Sequence, residues 1–323
     1  MTCIVLYKLY LQRVVLLHES FIEGMCSISG FSPPSGFSTE VNISNLSSQC
    51  EQNMLKDCVI KASHSSAYNG ANIDTNMVSF VISRGVRFLD FELQYDDNAD
   101  VVVGNVKFSD ILTKINESAF TDNTTGCASP NKNDPMFIHL RIKTGASDAS
   151  VVYDKINEDL NILFPNNSID RKYDKNVYPE TKLSEILRKY VIIVDQNSDF
   201  YFDNRGRIFK NAVSGDGYFK LFNGSGDVIQ CPKRPTLTSD TTTDITAVNI
   251  LLEQDTYSIF GYTITDPSMK DLVTTYGMQV IAYKYYGTNT TNRDQSEAVF
   301  NEFNSAFINL AQCIQYFEAL ESQ

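Results

Sequence analysis

One stretch decides the fold because its polar and apolar side chains alternate: Gly85-Val-Arg-Phe-Leu-Asp-Phe-Glu-Leu93. Successive side chains of a β-strand point to opposite faces, so Phe88, Asp90 and Glu92 share one face and the other face is mostly apolar. If the apolar row packs on outer helices, both carboxylates project into the interior of a barrel. Two acids there cost several kcal/mol unless a cation or protons compensate, so the pattern indicates a built interior site. The alternative is a strand with one solvated face.

The stretch Met136–Lys143 repeats this alternation with the opposite charge. One face carries four side chains, Phe137, His139, Arg141 and Lys143, and the other face is aliphatic. Arg141 is predicted to lie across the lumen from Asp90 and Glu92 and to neutralise one of them, in a catalytic site or in a buried ion pair. His139, two residues deeper, is either a relocated proton donor or a core histidine hydrogen-bonded within the barrel.

Outward from these two stretches, short apolar strands alternate with helical segments from about Leu55 onward. The predicted strands are 59–63, 86–94, 101–103, 136–143, 191–195, 219–222, 259–263 and 279–285. The predicted helices are 74–83, 108–120, 147–163, 183–190, 267–276 and 294–303. The alternation favours an α/β fold with a parallel sheet, and the missing Gly-rich phosphate loop favours a TIM-type (β/α)8 barrel, closed or distorted. The chain is accordingly divided into an N-terminal extension, residues 1–54, and a barrel, residues 55–323.

Composition excludes several functions. The 323 residues carry 27 Lys plus Arg against 39 Asp plus Glu, a net charge of -12, which is the wrong sign for a protein that tracks nucleic-acid phosphates. Seven dispersed cysteines without a Cys-x-x-Cys pair exclude a zinc site and favour a reduced compartment, so the protein is expected not to be secreted. The apolar run 4–17, interrupted by Lys8 and Arg13, is a targeting segment, an element packed on the barrel, or a stretch upstream of a true start at Met25.

Candidate site residues follow the strands, because barrel chemistry sits at the carboxyl ends of strands. His64 ends the first strand and is well placed to transfer protons, the alternative being a loop histidine bonded to backbone. Asp195 ends another strand and either orients His64 or caps a helix. Lys143 and Tyr285 are the candidate substrate-binding residues, although Tyr285 could instead cap the barrel.

These segments resemble the X-region barrel of phosphatidylinositol-specific phospholipase C and related phosphodiesterases. The motifs that carry the resemblance span Ile60–Ser66, Arg84–Glu92, Phe108–Leu112, Pro135–Arg141, Tyr190–Asp195, Gly277–Tyr286 and Ser305–Ile308. More narrowly, residues 55–57, 133–143 and the C-terminal block look like the phospholipase-C-like proteins encoded by giant DNA viruses. The resemblance covers roughly Leu55 to Ile308.

The resemblance implies a phosphodiester cleavage that uses two histidines. One histidine deprotonates the inositol 2-hydroxyl, which attacks phosphorus, and the other protonates the departing diacylglycerol oxygen. His64 matches the first histidine. Asp90 and Glu92 match two acidic calcium ligands, calcium being the group that meets the phosphoryl charge in eukaryotic members, whereas bacterial members use an arginine.

The chain departs from this family pattern at three places. Gly104-Asn105 stands where family members carry the His-Gly pair of the second histidine, and neither residue donates a proton at neutral pH. Losing a general acid costs a factor of about 10²–10⁴ in rate. Ser65 replaces an asparagine calcium ligand and Arg141 replaces a glutamate, so calcium is expected only at an incomplete site.

Three functions from different classes follow. The first is a catalytically degenerate barrel of a large DNA virus, a structural or virion-associated component in contact with viral structural proteins, in the virion or the host cytoplasm. The second is an active phosphoric diester hydrolase on phosphatidylinositol-type lipids, with His64 as general base and Arg141 and Asp195 as further catalytic residues. The third is a module that binds an inositol phospholipid or phosphodiester without chemistry. Peripheral contact with a membrane is compatible with all three.

Overall fold

The computed structural model of the protein describes residues 53–96, 99–120, 133–143, 149–164, 171–173, 175, 177–194, 211–212, 219–222, 248–252, 257–259, 262–264, 267–286, 291–302 and 306–321. The N-terminal extension up to residue 52 and Asp195 lie outside these residues, so the predictions made for them stay predictions. None of the helices within the described ranges is long and apolar enough to span a membrane.

Thirteen strands and seven α-helices lie within the described ranges. The strands are β1 (Cys58–Ser63), β2 (Phe88–Tyr95), β3 (Val101–Val103), β4 (Val106–Lys107), β5 (Met136–Lys143), β6 (Tyr190–Val194), β7 (Asn211–Ala212), β8 (Phe219–Phe222), β9 (Val248–Leu251), β10 (Tyr257–Ile259), β11 (Tyr262–Ile264), β12 (Val280–Tyr283) and β13 (Phe307–Asn309). The helices are α1 (Thr75–Ser83), α2 (Phe108–Ser118), α3 (Ala149–Leu160), α4 (Leu183–Ile186), α5 (Met269–Thr274), α6 (Thr291–Glu302) and α7 (Leu310–Glu321), with short 3-10 turns at Leu55–Asp57 and Asn161–Leu163.

Eight of the strands form one continuous path of parallel pairs. Their order in the sheet is β7-β6-β5-β2-β1-β12-β9-β8, which is the chain order of a (β/α)8 barrel opened between β7 and β8. Within the described residues, those two end strands are not paired with each other. The fold is therefore a mixed α/β, TIM-type barrel that is distorted, and the prediction of the fold class is confirmed.

Side chains alternate between the two faces of each strand, and this alternation produces two apolar layers. Inward side chains of β2, β5 and β6, among them Phe88, Phe137 and Val191, form one buried cluster that fills the lumen. Outward side chains such as Leu89 and Phe91 form a second cluster with the helices. The parity predicted for β2 and β5 is thus confirmed, and it directs Asp90 and Arg141 toward the lumen.

The helices begin and end where local chemistry dictates. The Asp74 side chain accepts a hydrogen bond from the Asn76 backbone N–H at 2.8 Å and caps α1, while Ser268 and Asp271 form a reciprocal capping box at α5. The helix predicted over 183–190 ends already at Ile186. Arg188 adopts φ 56°, a left-handed conformation that stops a helix, and β6 begins two residues later.

One predicted strand lies outside the barrel. The described residues of the run 259–263 belong to β10 and β11, which pair with each other in a separate two-stranded antiparallel sheet. The barrel position belongs to β9, which pairs in parallel with both β8 and β12. Asn249 interrupts the apolar run of β9 and hides it from a pattern search. Its side chain donates to the Gly277 carbonyl at 2.8 Å, so the polar group is satisfied where it is buried.

The amino end of the barrel shows the distortion. Ile60 of β1 pairs with β12 on one edge and with antiparallel β13 on the other, so β13 shares an edge of β1 with β2. β2 reaches β1 only at Ala62 and Ser63. Phe307 of β13 enters the lumen cluster, with its ring centre 6.5 Å from that of Phe137. The C-terminal strand thus fills the gap where β1 and β2 separate.

Candidate functional site

The site lies at the carboxyl ends of three adjacent strands. β2 and β5 are in register, with Asp90 opposite His139 and Glu92 opposite Arg141. β1 lies on the other side of β2 and delivers the residue that follows it. Because neighbouring parallel strands end on the same side of a barrel, six polar side chains converge here: His64, Asp90, Glu92, His139, Arg141 and Lys143.

Asp90 is the centre of the group and is fully buried. Its Oδ2 lies 2.7 Å from His64 Nδ1, and its Oδ1 lies 2.8 Å from His139 Nδ1. Arg141 spans the same carboxylate, donating through Nε to Oδ1 and through Nη2 to Oδ2, both at 3.0 Å. The Ser65 backbone N–H donates to Oδ2 at 3.2 Å. One carboxylate therefore holds two imidazoles, a guanidinium and a loop.

The pKa of Asp90 reflects this crowding. Burial is the largest influence and acts to raise the pKa of the carboxyl group. Hydrogen bonds from His139 and His64 and the charges of His139 and Arg141 outweigh burial together, so the pKa lies well below its usual range. Asp90 is consequently a carboxylate at neutral pH.

Glu92 continues the chain of ion pairs toward solvent. It accepts from Arg141 Nη1 at 3.1 Å and from Lys143 Nζ at 2.7 Å. Burial acts to raise its pKa, but Lys143 and Arg141 lower it further, and the net direction is down. Arg141 thus bridges both acids from the neighbouring strand, whereas the sequence predicted that it lies across the lumen and neutralises one of them. Lys143 lies at the exposed end of the row.

The turn after β1 holds His64 in place. The His64 backbone N–H donates to the Tyr283 carbonyl at 2.9 Å, and Ser66 accepts from the Asp90 backbone N–H through its hydroxyl at 3.0 Å. Between them Ser65 adopts φ 45°, a left-handed conformation that is uncommon for a residue with a side chain. In this conformation Ser65 Oγ lies 3.2 Å from His64 Nε2.

His139 occupies the deepest position of the group. Its side chain is completely buried, its ring stacks on Phe88 with ring centres 5.8 Å apart, and its Nδ1 contacts Asp90. Its Nε2 is buried without a hydrogen-bond partner among the described residues. These contacts match the core-histidine alternative of the sequence, in which His139 is hydrogen-bonded within the barrel.

The acidic residues do not fit a calcium site. Calcium takes six to eight oxygen ligands, and carboxylates are its main charged donors. Both oxygens of Asp90 and both of Glu92 already contact cationic or N–H groups, and the Arg141 guanidinium lies between the two acids. Across the described ranges no cluster of three or more His, Cys, Asp or Glu could hold a metal ion. Arg141 supplies the positive charge at this place.

The expected place of a second histidine is the turn between β3 and β4. Gly104 there has φ 59°, and a Cβ added to it would lie 2.8 Å from Ile73 Cγ1. A side chain at position 104 therefore needs both an unfavourable backbone and movement of Ile73. Asn105 beside it is exposed.

Of the other predicted site residues, Tyr285 is not brought to the group. Tyr285 packs in the outer cluster, and burial raises the pKa of its hydroxyl well above the usual value. Its neighbour Tyr286 instead contacts Tyr68 edge to face, with ring centres 4.5 Å apart. Asp195 falls outside the described residues, and Asp90 makes the contact with His64 that was expected of Asp195. The contact between Ser65 and His64 was not predicted from the sequence. The two residues are adjacent in the chain, but the alternation of side chains along a strand does not show that their side chains meet.

Comparison with known proteins bears on the fold. No protein-family model matches the chain, and neither does any curated protein sequence. Among solved structures, PLC21 of S. officinalis matches with a TM-score of 0.53 at 12% identity over 80% of this chain, and PLC21 of L. pealei with 0.51 at 12% over 80%. The chain spans 37% of the length of each. A calcium-dependent phosphoinositol-specific phospholipase C from Pseudomonas sp matches with 0.48 at 10%, over 81% of this chain and 97% of that one. The fold is thus that of the phosphatidylinositol-specific phospholipases C.

Proposed function

We propose that this protein is a phospholipase-C-like barrel that has lost turnover of phosphatidylinositol. We propose further that it is a structural or virion-associated component of a large DNA virus, in the virion or the host cytoplasm, where its partners are other viral structural proteins. The observation that carries the loss of turnover is the closed ion-pair chain from Asp90 through Arg141 and Glu92 to Lys143. The viral assignment rests on the sequence resemblance alone.

The ion-pair chain argues against turnover because it satisfies the charges that substrate and metal would otherwise meet. Arg141 is bidentate to Asp90 and donates to Glu92, and detaching it leaves a buried carboxylate short of partners. A phosphodiester that takes Arg141 must therefore displace hydrogen bonds to two acids. In an efficient site such donors are preorganised toward the transition state.

The number of groups that can transfer a proton also argues against turnover. His64 supplies one proton carrier, and the β3–β4 turn offers no second one, since Gly104 and Asn105 do not titrate. Diacylglycerol is a poor leaving group, because its alkoxide is strongly basic, and its departure depends on protonation. Phosphatidylinositol is thus the substrate for which the missing acid matters most.

The test measures inositol phosphate release from phosphatidylinositol vesicles by the full chain, by His64→Ala and by a competent phospholipase C as positive control. Each is assayed with calcium and with a chelator. We expect wild type and His64→Ala to be equally inactive in both conditions. Turnover by wild type that His64→Ala abolishes would overturn the proposal.

The virion assignment has its own test. Quantitative mass spectrometry of purified particles of the encoding virus should find the protein at a fixed ratio to the capsid proteins, resistant to protease treatment of intact particles. Recovery only in the soluble host fraction would contradict a structural role in the particle.

A second candidate is an active phosphoric diester hydrolase with His64 as general base. The observation in its favour is the Asp90 carboxylate 2.7 Å from His64 Nδ1, where its charge stabilises the imidazole once it has taken a proton. Arg141 would then stabilise phosphoryl charge and Lys143 would bind the headgroup. A third function, binding of a phosphodiester without chemistry, is tested by titrating inositol phosphate into wild type and Arg141→Met. Binding that Arg141→Met loses, in a wild type without turnover, would support this third function.

A further inference from the structure

We propose that Ser65, His64 and Asp90 form a nucleophilic triad that cleaves carboxylic esters, with Ser65 as the residue acylated. Ser65 Oγ lies 3.2 Å from His64 Nε2, and His64 Nδ1 lies 2.7 Å from Asp90 Oδ2. The first is the contact by which a base activates a hydroxyl. The second places a carboxylate beside the base, where its charge favours the protonated imidazole, although the approach of Nδ1 to Oδ2 lacks the geometry of a hydrogen bond. The reaction needs neither calcium nor a second histidine, so it goes beyond the proposed function and does not depend on it.

The contacts define the roles of the two residues beside Ser65. His64 Nε2 lies 3.2 Å from the Ser65 hydroxyl and is the atom placed to take its proton. His64 Nδ1 lies 2.7 Å from Asp90 Oδ2 without the angle of a hydrogen bond, so Asp90 is the negative charge that stabilises the imidazole once it has gained the proton. Asp90 is therefore the positioning residue.

The backbone of Ser65 supports the same assignment. Its φ of 45° is the only left-handed value of a non-glycine residue in the described part of the site. Such strain persists only where surrounding contacts enforce it. Here the Ser65 N–H donates to Asp90 at 3.2 Å, and its carbonyl accepts from the Tyr68 N–H at 2.8 Å. These two hydrogen bonds hold the strained backbone in place and keep the Ser65 hydroxyl next to His64.

The neighbouring serines Ser65 and Ser66 differ in how exposed their side chains are. Ser66 is buried and its hydroxyl is used twice, donating to the Ser63 carbonyl at 2.9 Å and accepting from the Asp90 N–H. Ser65 is half-buried at the mouth of the barrel, where a substrate can reach it. Only Ser65 therefore combines access with a base.

The rim beside Ser65 carries paired charges. Arg141 donates to the same Asp90 oxygen that His64 contacts, and Lys143 pairs with Glu92 at the exposed end of the row. Because two carboxylates balance the two cations, access to the Ser65 hydroxyl defines the substrate. The substrate class is thus esters whose carbonyl reaches a site about as deep as Ser65, aryl and short-chain esters among them.

The chemistry balances without a co-reactant other than water. Ser65 Oγ bonds to the carbonyl carbon while its proton passes to His64 Nε2, and the ester C–O bond breaks as the departing oxygen takes that proton. Water then attacks the acyl-serine, His64 takes a proton from the water, and the proton returns to Ser65 Oγ. The products are one alcohol and one carboxylic acid.

The experiment uses a fluorophosphonate probe, which serine attacks with loss of fluoride, together with p-nitrophenyl acetate hydrolysis. The variants are Ser65→Gly, His64→Ala and, as matched control, Ser83→Ala, whose serine is half-buried on α1. Ser65→Gly is the informative substitution, since glycine tolerates the left-handed backbone and its fold is preserved. Thermal unfolding of each variant checks this.

We expect one labelled site, assigned to Ser65 by peptide mass spectrometry. Labelling should vanish in Ser65→Gly, fall at least about 100-fold in His64→Ala, and stay unchanged in Ser83→Ala. Ester hydrolysis should follow the same order. A folded wild type that is not labelled, label on another serine, or label that survives His64→Ala each overturns the triad. Phosphatidylinositol turnover is measured apart, so failure here leaves the proposed function standing.

Discussion

Asp90 accepts contacts from two histidines, an arginine and a backbone N–H while it is completely buried. Each partner also depends on Asp90, because a buried cation or imidazole without a carboxylate is costly. The sequence predicted that Asp90, Glu92 and Arg141 share the lumen, since parity determines the face of a strand. It could not show that Asp90 contacts His64, because that depends on the turn at Ser65 and on the rotamers.

Asp90→Asn keeps the size of the side chain and removes its charge. Breaking a buried ion pair by removing one partner costs about 3–5 kcal/mol, and we expect a loss of unfolding free energy in this range. Urea titration measures it. Asp100→Asn is the control, because Asp100 pairs with the exposed Lys107 and such a pair contributes at most about 1 kcal/mol. Equal losses in the two variants would show that the Asp90 network does not stabilise the barrel.

β1 connects the site to the outer layer, because its side chains alternate between lumen and helices. Cys58, Ile60 and Ala62 face the lumen, whereas Lys61 points outward and is buried. Its Nζ donates to the Arg84 carbonyl at 2.6 Å and lies 3.6 Å from a Glu297 oxygen on α6. β2 and β5 were predictable because eight alternating residues define each of them, whereas four-residue β9 and three-residue β13 give too little pattern.

Lys61 predicts a pH dependence of stability. Burial lowers the pKa of Lys61 from 10.5 to about 8, with Glu297 opposing and Arg84 adding to the shift. Between pH 8 and 10.5 the unfolded chain keeps the proton and the folded protein has lost it, so stability rises with pH in this window. Relative to Lys61→Met, wild type should gain on the order of 3 kcal/mol across it.

Urea titrations of both proteins at pH 7.5, 8.5 and 9.5 measure this difference. Comparing the variants cancels the cysteine and tyrosine titrations that both proteins share. The gain should begin near pH 8 and grow with each step. Parallel pH profiles would contradict a buried, proton-releasing Lys61.

The barrel as a whole depends on its C-terminal strand. The parallel arrangement was predictable from alternating strands and helices, because parallel neighbours need helical crossovers, but β7 and β9 were not among the predicted strands. The wedge formed by β13 was not predictable, since three residues that pair antiparallel with the first strand carry no signal of that partner. Phe307 nevertheless fills the lumen beside Phe137.

Phe307→Ala should therefore destabilise the whole molecule. Emptying a buried phenylalanine site costs about 3–5 kcal/mol, because the lost transfer energy adds to the cavity left behind. Phe80→Ala is the matched control, since Phe80 is 44% exposed on α1 and its loss should cost less than about 1 kcal/mol. Thermal and urea unfolding measure both. Similar losses would show that the wedge does not support the barrel.

The pairing of β1 with β13 also sets when the molecule can fold during its synthesis. Cys58, Val59 and Ile60 meet partners that are translated about 250 residues later. A growing chain must hold this strand edge open until Phe307 to Asn309 have left the ribosome. Open edges recruit other strands, so a chain truncated before that point exposes a template for aggregation. The described barrel is consequently completed only after β13 has been synthesised, and this edge of β1 stays open while the strands between them are made.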